Sequence, residues 1–114
     1  MKLSTIVLSI MLGLSSSTMA QQKDVTIKLI ETTDVHGSFF PYDFITRKPK
    51  SGSMARVYTL VEELRKKDGK ENVYLLDNGD ILQGQPISYY YNYVAPEKTN
   101  IAASVLNYMG YDVA

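Results

Sequence analysis

The chain has 114 residues, with 12 Lys and Arg against 12 Asp and Glu, so its formal net charge is zero. That balance argues against a basic nucleic-acid groove or a charged membrane patch as the basis of function. Cysteine is absent and histidine occurs once, which excludes disulfides, a thiolate zinc site and an acylated lipoprotein cysteine.

The first residues read as an export signal. Lys2 supplies a positive start, Leu3 to Leu14 an apolar stretch, and Ser15 to Ala20 a run of small residues, the layout of a signal peptide cleaved after Ala20. The stretch is too short for a membrane span, which needs about twenty predominantly apolar residues. A periplasmic or secreted protein with no stable membrane anchor is expected. Next, Val25, Ile27 and Leu29 alternate with Thr26 and Lys28, predicting a strand with those apolar residues on a buried face. Residues 37–51 are polar and punctuated by proline, predicting a loop whose Phe39, Phe40 and Tyr42 pin it down rather than line a pocket.

From Gly52 to Asp68, Met54, Val57, Tyr58, Val61 and Leu64 recur at helical spacing, and Gly69 supplies the stop. Arg65, Lys66 and Lys67 fall in the last turn, where cations complement the helix dipole. Glu62 with Lys66, and Glu63 with Lys67, have the i,i+4 spacing of a solvated face. Asn72 to Leu76 reads as a second strand, apolar enough to be covered on both faces. Gln83 to Pro86 is expected to loop over the end of that strand. Tyr89, Tyr90, Tyr91 and Tyr93 follow, read as packing or a domain interface in preference to a base-stacking platform. Pro96 breaks the segment, Thr99 or Asn100 caps a helix carrying Ile101, Ala102, Val105, Leu106 and Met109, and Gly110 ends it. A third strand begins at Tyr111. The order β-α-β-α-β is a layered α/β plan.

Two short motifs carry the chemistry. Asp34-Val35-His36 follows the first strand and Asn78-Gly79-Asp80 the second. If the strands are parallel neighbours, both motifs lie at the carboxyl rim of the sheet, where open α/β sheets collect ligands. Residues two apart in extended chain point the same way, so Asp34 and His36 can grip one ion, and Asp80 can reach across to bridge two. Carboxylate plus imidazole suits a borderline divalent metal such as Zn, Mn or Fe. Two such ions, roughly 3.5–4 Å apart, would clamp a phosphate. Gly37 and Gly79 permit sharp turns beside the ions. Asp77 reads as a turn or supporting residue.

The segments Glu31–Asp43 and Leu75–Gly84, containing these motifs in this order and spacing, resemble the amino-terminal metallophosphoesterase domain of the bacterial 5′-nucleotidase and 2′,3′-cyclic-nucleotide 2′-phosphodiesterase family. The resemblance runs from about Val25 to the end of the chain. It implies a calcineurin-like layered sandwich and hydrolysis of a nucleotide substrate. It also implies two divalent ions, with Asp34 and His36 on the first and Asp80 bridging both. The family continues with a Gly-Asn-His-(Asp/Glu) motif, further metal-binding histidines and a carboxy-terminal domain bearing nucleoside-binding aromatics. None of these occurs here. The expectation is therefore a signal peptide over residues 1–20 and a truncated catalytic domain over residues 21–114, inactive alone and poorly folded for want of neighbouring strands. The alternative is a non-catalytic exported metal- or ligand-binding remnant. Oligomeric state is left open.

Overall fold

Strand β1 (Lys28–Thr32) pairs in parallel with a later strand 45 residues on, in the computed structural model, which describes residues 24–114. The proposed signal segment lies outside the described residues. A short antiparallel hairpin follows, β2 (Tyr42–Asp43) and β3 (Lys48–Pro49), then helix α1 (Met54–Asp68), a 3-10 turn and β4 (Val73–Asp77). A single helical turn α2 (Pro86–Tyr89) runs into a π-helical segment (Tyr90–Val94), and α3 (Ile101–Met109) leads to the last residues. There Val113 forms a parallel bridge to Leu76, with Asp77 N donating to Val113 O at 2.9 Å. The β-α-β-α-β order thus holds, with β4 between β1 and the beginning of a third strand.

The sequence explains most of these boundaries. Ser53 caps α1, its hydroxyl accepting from Arg56 N, and Gly69 ends the helix at φ 88°, a value that disfavours a side chain. For α3 the cap is Asn100, whose side chain accepts from Ala102 N, and Gly110 terminates it in left-handed conformation. Met54 and Val61 of α1, Val73 and Leu75 of β4, and Ala102 and Met109 of α3 form one core. Each of the Met, Val and Leu side chains among them, fully buried, contributes about 1.5–3 kcal/mol. Progressive strand order with right-handed crossovers puts both helices over the same face. Arg65 joins them, donating to Met109 O at 2.7 Å and Gly110 O at 3.0 Å. Its ion pair is with Glu62 at 3.3 Å, so Arg65 locks α3 to α1 in addition to facing the dipole of its own helix. Glu62–Lys66 and Glu63–Lys67, at i,i+4 on the solvated face, are not ion-paired among the described residues.

Several expectations are corrected. The first strand begins at Lys28 rather than Val25, and its inward side carries Lys28, Ile30 and Thr32, paired with Val73, Leu75 and Asp77. Val25, Ile27 and Leu29 are exposed, Leu29 at 69%. The cause is register: Ile30 faces Leu75 beneath the helices, so its neighbours turn to the opposite face, which no helix covers among the described residues. For the same reason β4 is not covered on both faces, and Tyr74 is 40% exposed. The 37–51 loop contains the β2–β3 hairpin, held by the Asp43 carboxylate accepting from Ile45 N at 2.8 Å and Thr46 N at 3.2 Å. Those bonds pull the Asp43 carboxyl below its usual range. The tyrosine row packs ring on ring outside the core, Tyr89 against Tyr93 and Tyr90 against Tyr91, with Tyr89 61% exposed and Tyr93 72%.

Candidate metal centre

Because β1 and β4 are parallel and in register through Thr32↔Asp77, the chain leaves both at the same edge. The two exits are laced together by backbone bonds: Asn78 N to Thr32 O at 2.8 Å, Asp34 N to Gly79 O at 3.1 Å, and His36 N to Asp80 O at 3.0 Å. Asp77 ties the same edge from below. One of its oxygens accepts the Thr32 hydroxyl at 2.6 Å and the other accepts Gly79 N at 3.0 Å, which fits its reading as a turn and supporting residue.

Asp34, His36 and Asp80 converge, with one potential ligand atom from each within 4.8 Å of the other two. His36 Nε2 lies 3.6 Å from Asp80 Oδ2 and 3.9 Å from Asp34 Oδ1. These separations are too long for hydrogen bonds and close to the spacing of donors about 2.0–2.2 Å from one centre. The other oxygen of each carboxylate is already engaged, Asp34 Oδ2 by the Thr33 hydroxyl at 2.7 Å and Asp80 Oδ1 by the Gln83 amide at 2.6 Å. One oxygen per aspartate therefore remains turned toward the imidazole. Neither carboxylate is ion-paired to a Lys or Arg among the described residues. One nitrogen and two anionic oxygens, half-exposed and without a cationic partner, fit a divalent cation.

The convergence does not arise from strand alternation. Asp34, His36 and Asp80 lie beyond the strands, all with positive φ, at 52°, 50° and 57°. For residues with a Cβ this conformation costs roughly 1–2 kcal/mol each, and such strain clusters where surrounding structure imposes a geometry. Gly84 shows how close the packing is: a Cβ there would lie 2.7 Å from both Cβ and O of His36. Gln85 N donates to His36 O at 3.1 Å, so the Gln83–Pro86 loop does fold over the rim. Thr33 and Gln83 were not singled out from the sequence, although Gln83 stands three residues from Asp80, a spacing suited to a local side-chain bond.

The fold has a counterpart among known proteins. A calcineurin-like phosphoesterase structure, YfkN from Bacillus subtilis, superposes with TM-score 0.69 at 30% identity, covering 79% of this chain and 28% of that one. Over that span the chain is similar to a calcineurin-like phosphoesterase. By sequence it is 34% identical over 84 residues to a 2′,3′-cyclic-nucleotide 2′-phosphodiesterase/3′-nucleotidase of Yersinia enterocolitica, covering 73% of this chain and 12% of the relative. It is 33% identical over 108 residues to the protein of the same name in Haemophilus influenzae, covering 90% and 16%. The trifunctional nucleotide phosphoesterase YfkN of Bacillus subtilis is 30% identical over 95 residues, covering 77% and 6%. No family model matches. The chain thus spans at most 16% of the length of these three nucleotide phosphoesterases.

Proposed function

We propose that this chain contributes one side of a two-metal site in an exported enzyme that hydrolyses phosphate esters of nucleotides, as a 5′-nucleotidase, a 2′,3′-cyclic-nucleotide 2′-phosphodiesterase or both. The observation that carries the reading is the meeting of Asp34, His36 and Asp80, strained and laced together from two loops, within 4.8 Å. Asp34 and His36 would hold the first ion, and Asp80, approached from the second strand, would orient both. A divalent ion held there supplies Lewis acidity, polarising phosphoryl oxygens and lowering the pKa of water. The chain's own residues do the positioning. Thr33 and Gln83 fix the two carboxylates, and the His36 backbone is held from both sides by Asp80 and Gln85.

Three donors from this chain do not close two coordination spheres, and the single histidine is the observation that favours a second reading, an exported metal-binding protein without turnover. Phosphate release from a nucleotide by the full-length protein, with Mn²⁺ or Zn²⁺ added, separates the two. Under the enzymatic reading, Asp80→Asn abolishes metal-dependent release; metal binding with no release from any nucleotide would leave the second reading standing. Export rests on the Lys2, Leu3–Leu14 and Ser15–Ala20 pattern. Amino-terminal sequencing of the mature protein should begin at Gln21, and recovery of Met1 would refute cleavage.

A further inference from the structure

Among the described residues Asp77 is the only acidic residue that is buried, at 8% exposure. Its Oδ2 accepts the Thr32 hydroxyl and its Oδ1 accepts Gly79 N, so neither oxygen is free in the way that Asp34 Oδ1 and Asp80 Oδ2 are, and Asp77 stands outside the converging ligand set. A carboxylate taken out of water is costly unless a cation or a full set of hydrogen bonds compensates it. No Lys or Arg pairs with Asp77 among the described residues. Lys28, at the other end of β1, is paired with Asp68 at 3.5 Å, and Lys50 donates to Ser38 Oγ at 2.8 Å. The Asp77 charge is felt at Tyr111, whose pKa it helps to raise. Asp77 also reaches the ligands through one residue. Gly79, with its N–H on Asp77, is held at φ 98° and gives its carbonyl to Asp34 N at 3.1 Å. The Cβ position of Gly79 is surrounded by open space, so glycine there serves the backbone turn rather than close packing.

We propose that Asp77 is a positioning residue for the metal centre, a buried anion that favours a divalent cation at Asp34, His36 and Asp80 without touching it and that fixes the carbonyl on which Asp34 hangs. This rests on the metal-site reading above and deepens it. In the metal-free protein three carboxylates share one edge of the sheet against a single imidazole, and their mutual repulsion is unrelieved. A divalent cation at the rim relieves Asp34 and Asp80 directly and Asp77 through space. Burial makes the Asp77 charge less screened by solvent ions than an exposed carboxylate would be. Groups that support metal ligands commonly set affinity to a large extent. The charge of Asp77 therefore works in two directions, against stability in the metal-free fold and for affinity in the loaded one. An aspartate with a purely structural role would only stabilise.

The test is Asp77→Asn in the full-length protein, an exchange that keeps size and an acceptor for Gly79 N while removing the charge. Mn²⁺ affinity is measured by calorimetric titration, and thermal unfolding is followed separately in EDTA. The expected result is a loss of Mn²⁺ affinity of roughly tenfold or more, with an EDTA midpoint at or above that of the wild type. Unchanged affinity, or an EDTA midpoint below the wild type, would overturn the proposal and leave Asp77 as structural support. Thr32→Val is the second variant, removing the hydroxyl and keeping the charge. It should lower the EDTA midpoint and leave Mn²⁺ affinity close to that of the wild type; an affinity loss as large as that of Asp77→Asn would assign the effect to the hydrogen bond and overturn the role of the charge. A wild-type protein that takes up no Mn²⁺ would sink the metal centre itself, whereas equal uptake by wild type and Asp77→Asn sinks the role of Asp77 alone.

Discussion

Tyr111 shows how single side chains hold the rim in place. Its hydroxyl lies 2.9 Å from Thr32 Oγ1, and Thr32 in turn donates to Asp77. Thr32 has one proton to give, so Tyr111 O–H is the donor in the first bond. Burial raises the Tyr111 pKa above its ordinary 10.0, outweighing the lowering by its hydrogen bond with Thr32, and the Asp77 charge adds to the rise. A group whose pKa is raised on folding contributes stability that is complete below its unfolded value. That contribution is lost as pH rises through the folded value. The native chain should therefore lose unfolding midpoint above about pH 10. Tyr111→Phe should start lower at neutral pH, for want of the hydrogen bond, and lose less across the alkaline range. Denaturant midpoints of both proteins as a function of pH decide this, and parallel declines would count against it. Asp34, His36 and Asp80 illustrate the opposite limit of legibility. Their residue types and spacing announce a ligand set, but neither Asp nor His announces positive φ. That property comes from the lacing of the two exits, which exists only once β1 and β4 pair.

At the level of elements, α1 was the most legible because its apolar period and Gly69 agree with each other. The face of β1 was not, since Leu29 and Ile30 are adjacent, both apolar, and alternation alone cannot say which of them meets α1. The pairing Ile30↔Leu75 makes that choice. The role of Arg65 was hidden for a similar reason: a basic residue in a last turn already has a local explanation, and its contact with α3 is 44 residues away in sequence. Arg65→Lys keeps the charge but loses the planar fork that reaches Met109 O and Gly110 O together. It should destabilise the chain by roughly 1–3 kcal/mol, with faster hydrogen exchange concentrated in the last turn of α3. Uniformly faster exchange across the fold would argue against a local clamp.

On the scale of the whole molecule, the layered β-α-β-α-β plan was readable from the order of elements, while the coverage of the sheet was not. One face meets α1 and α3, and the other presents Leu29, Tyr74 and Val113 to solvent. An exposed apolar sheet face of this kind promotes association. Leu29→Lys should raise the concentration at which light scattering appears and move the unfolding free energy by no more than about 0.5 kcal/mol; a large loss of stability would show that Leu29 is covered in solution. No helix among the described residues is long and apolar enough to cross a membrane. The parallel register of β1 with β4 has one more result. Thr32 and Asp77 are 45 residues apart in sequence, so an unfolded chain has Asp80 far from Asp34 and His36 and offers an ion almost nothing to share. An ion that prefers the native arrangement would act as a reversible cross-link across the α1 crossover. At a hundredfold excess over its dissociation constant it would add about 2.7 kcal/mol to stability. Melting with Mn²⁺ and with EDTA should give well-separated midpoints that coincide in Asp80→Asn. The mineral supply of the compartment would then set how much of this chain is folded at all.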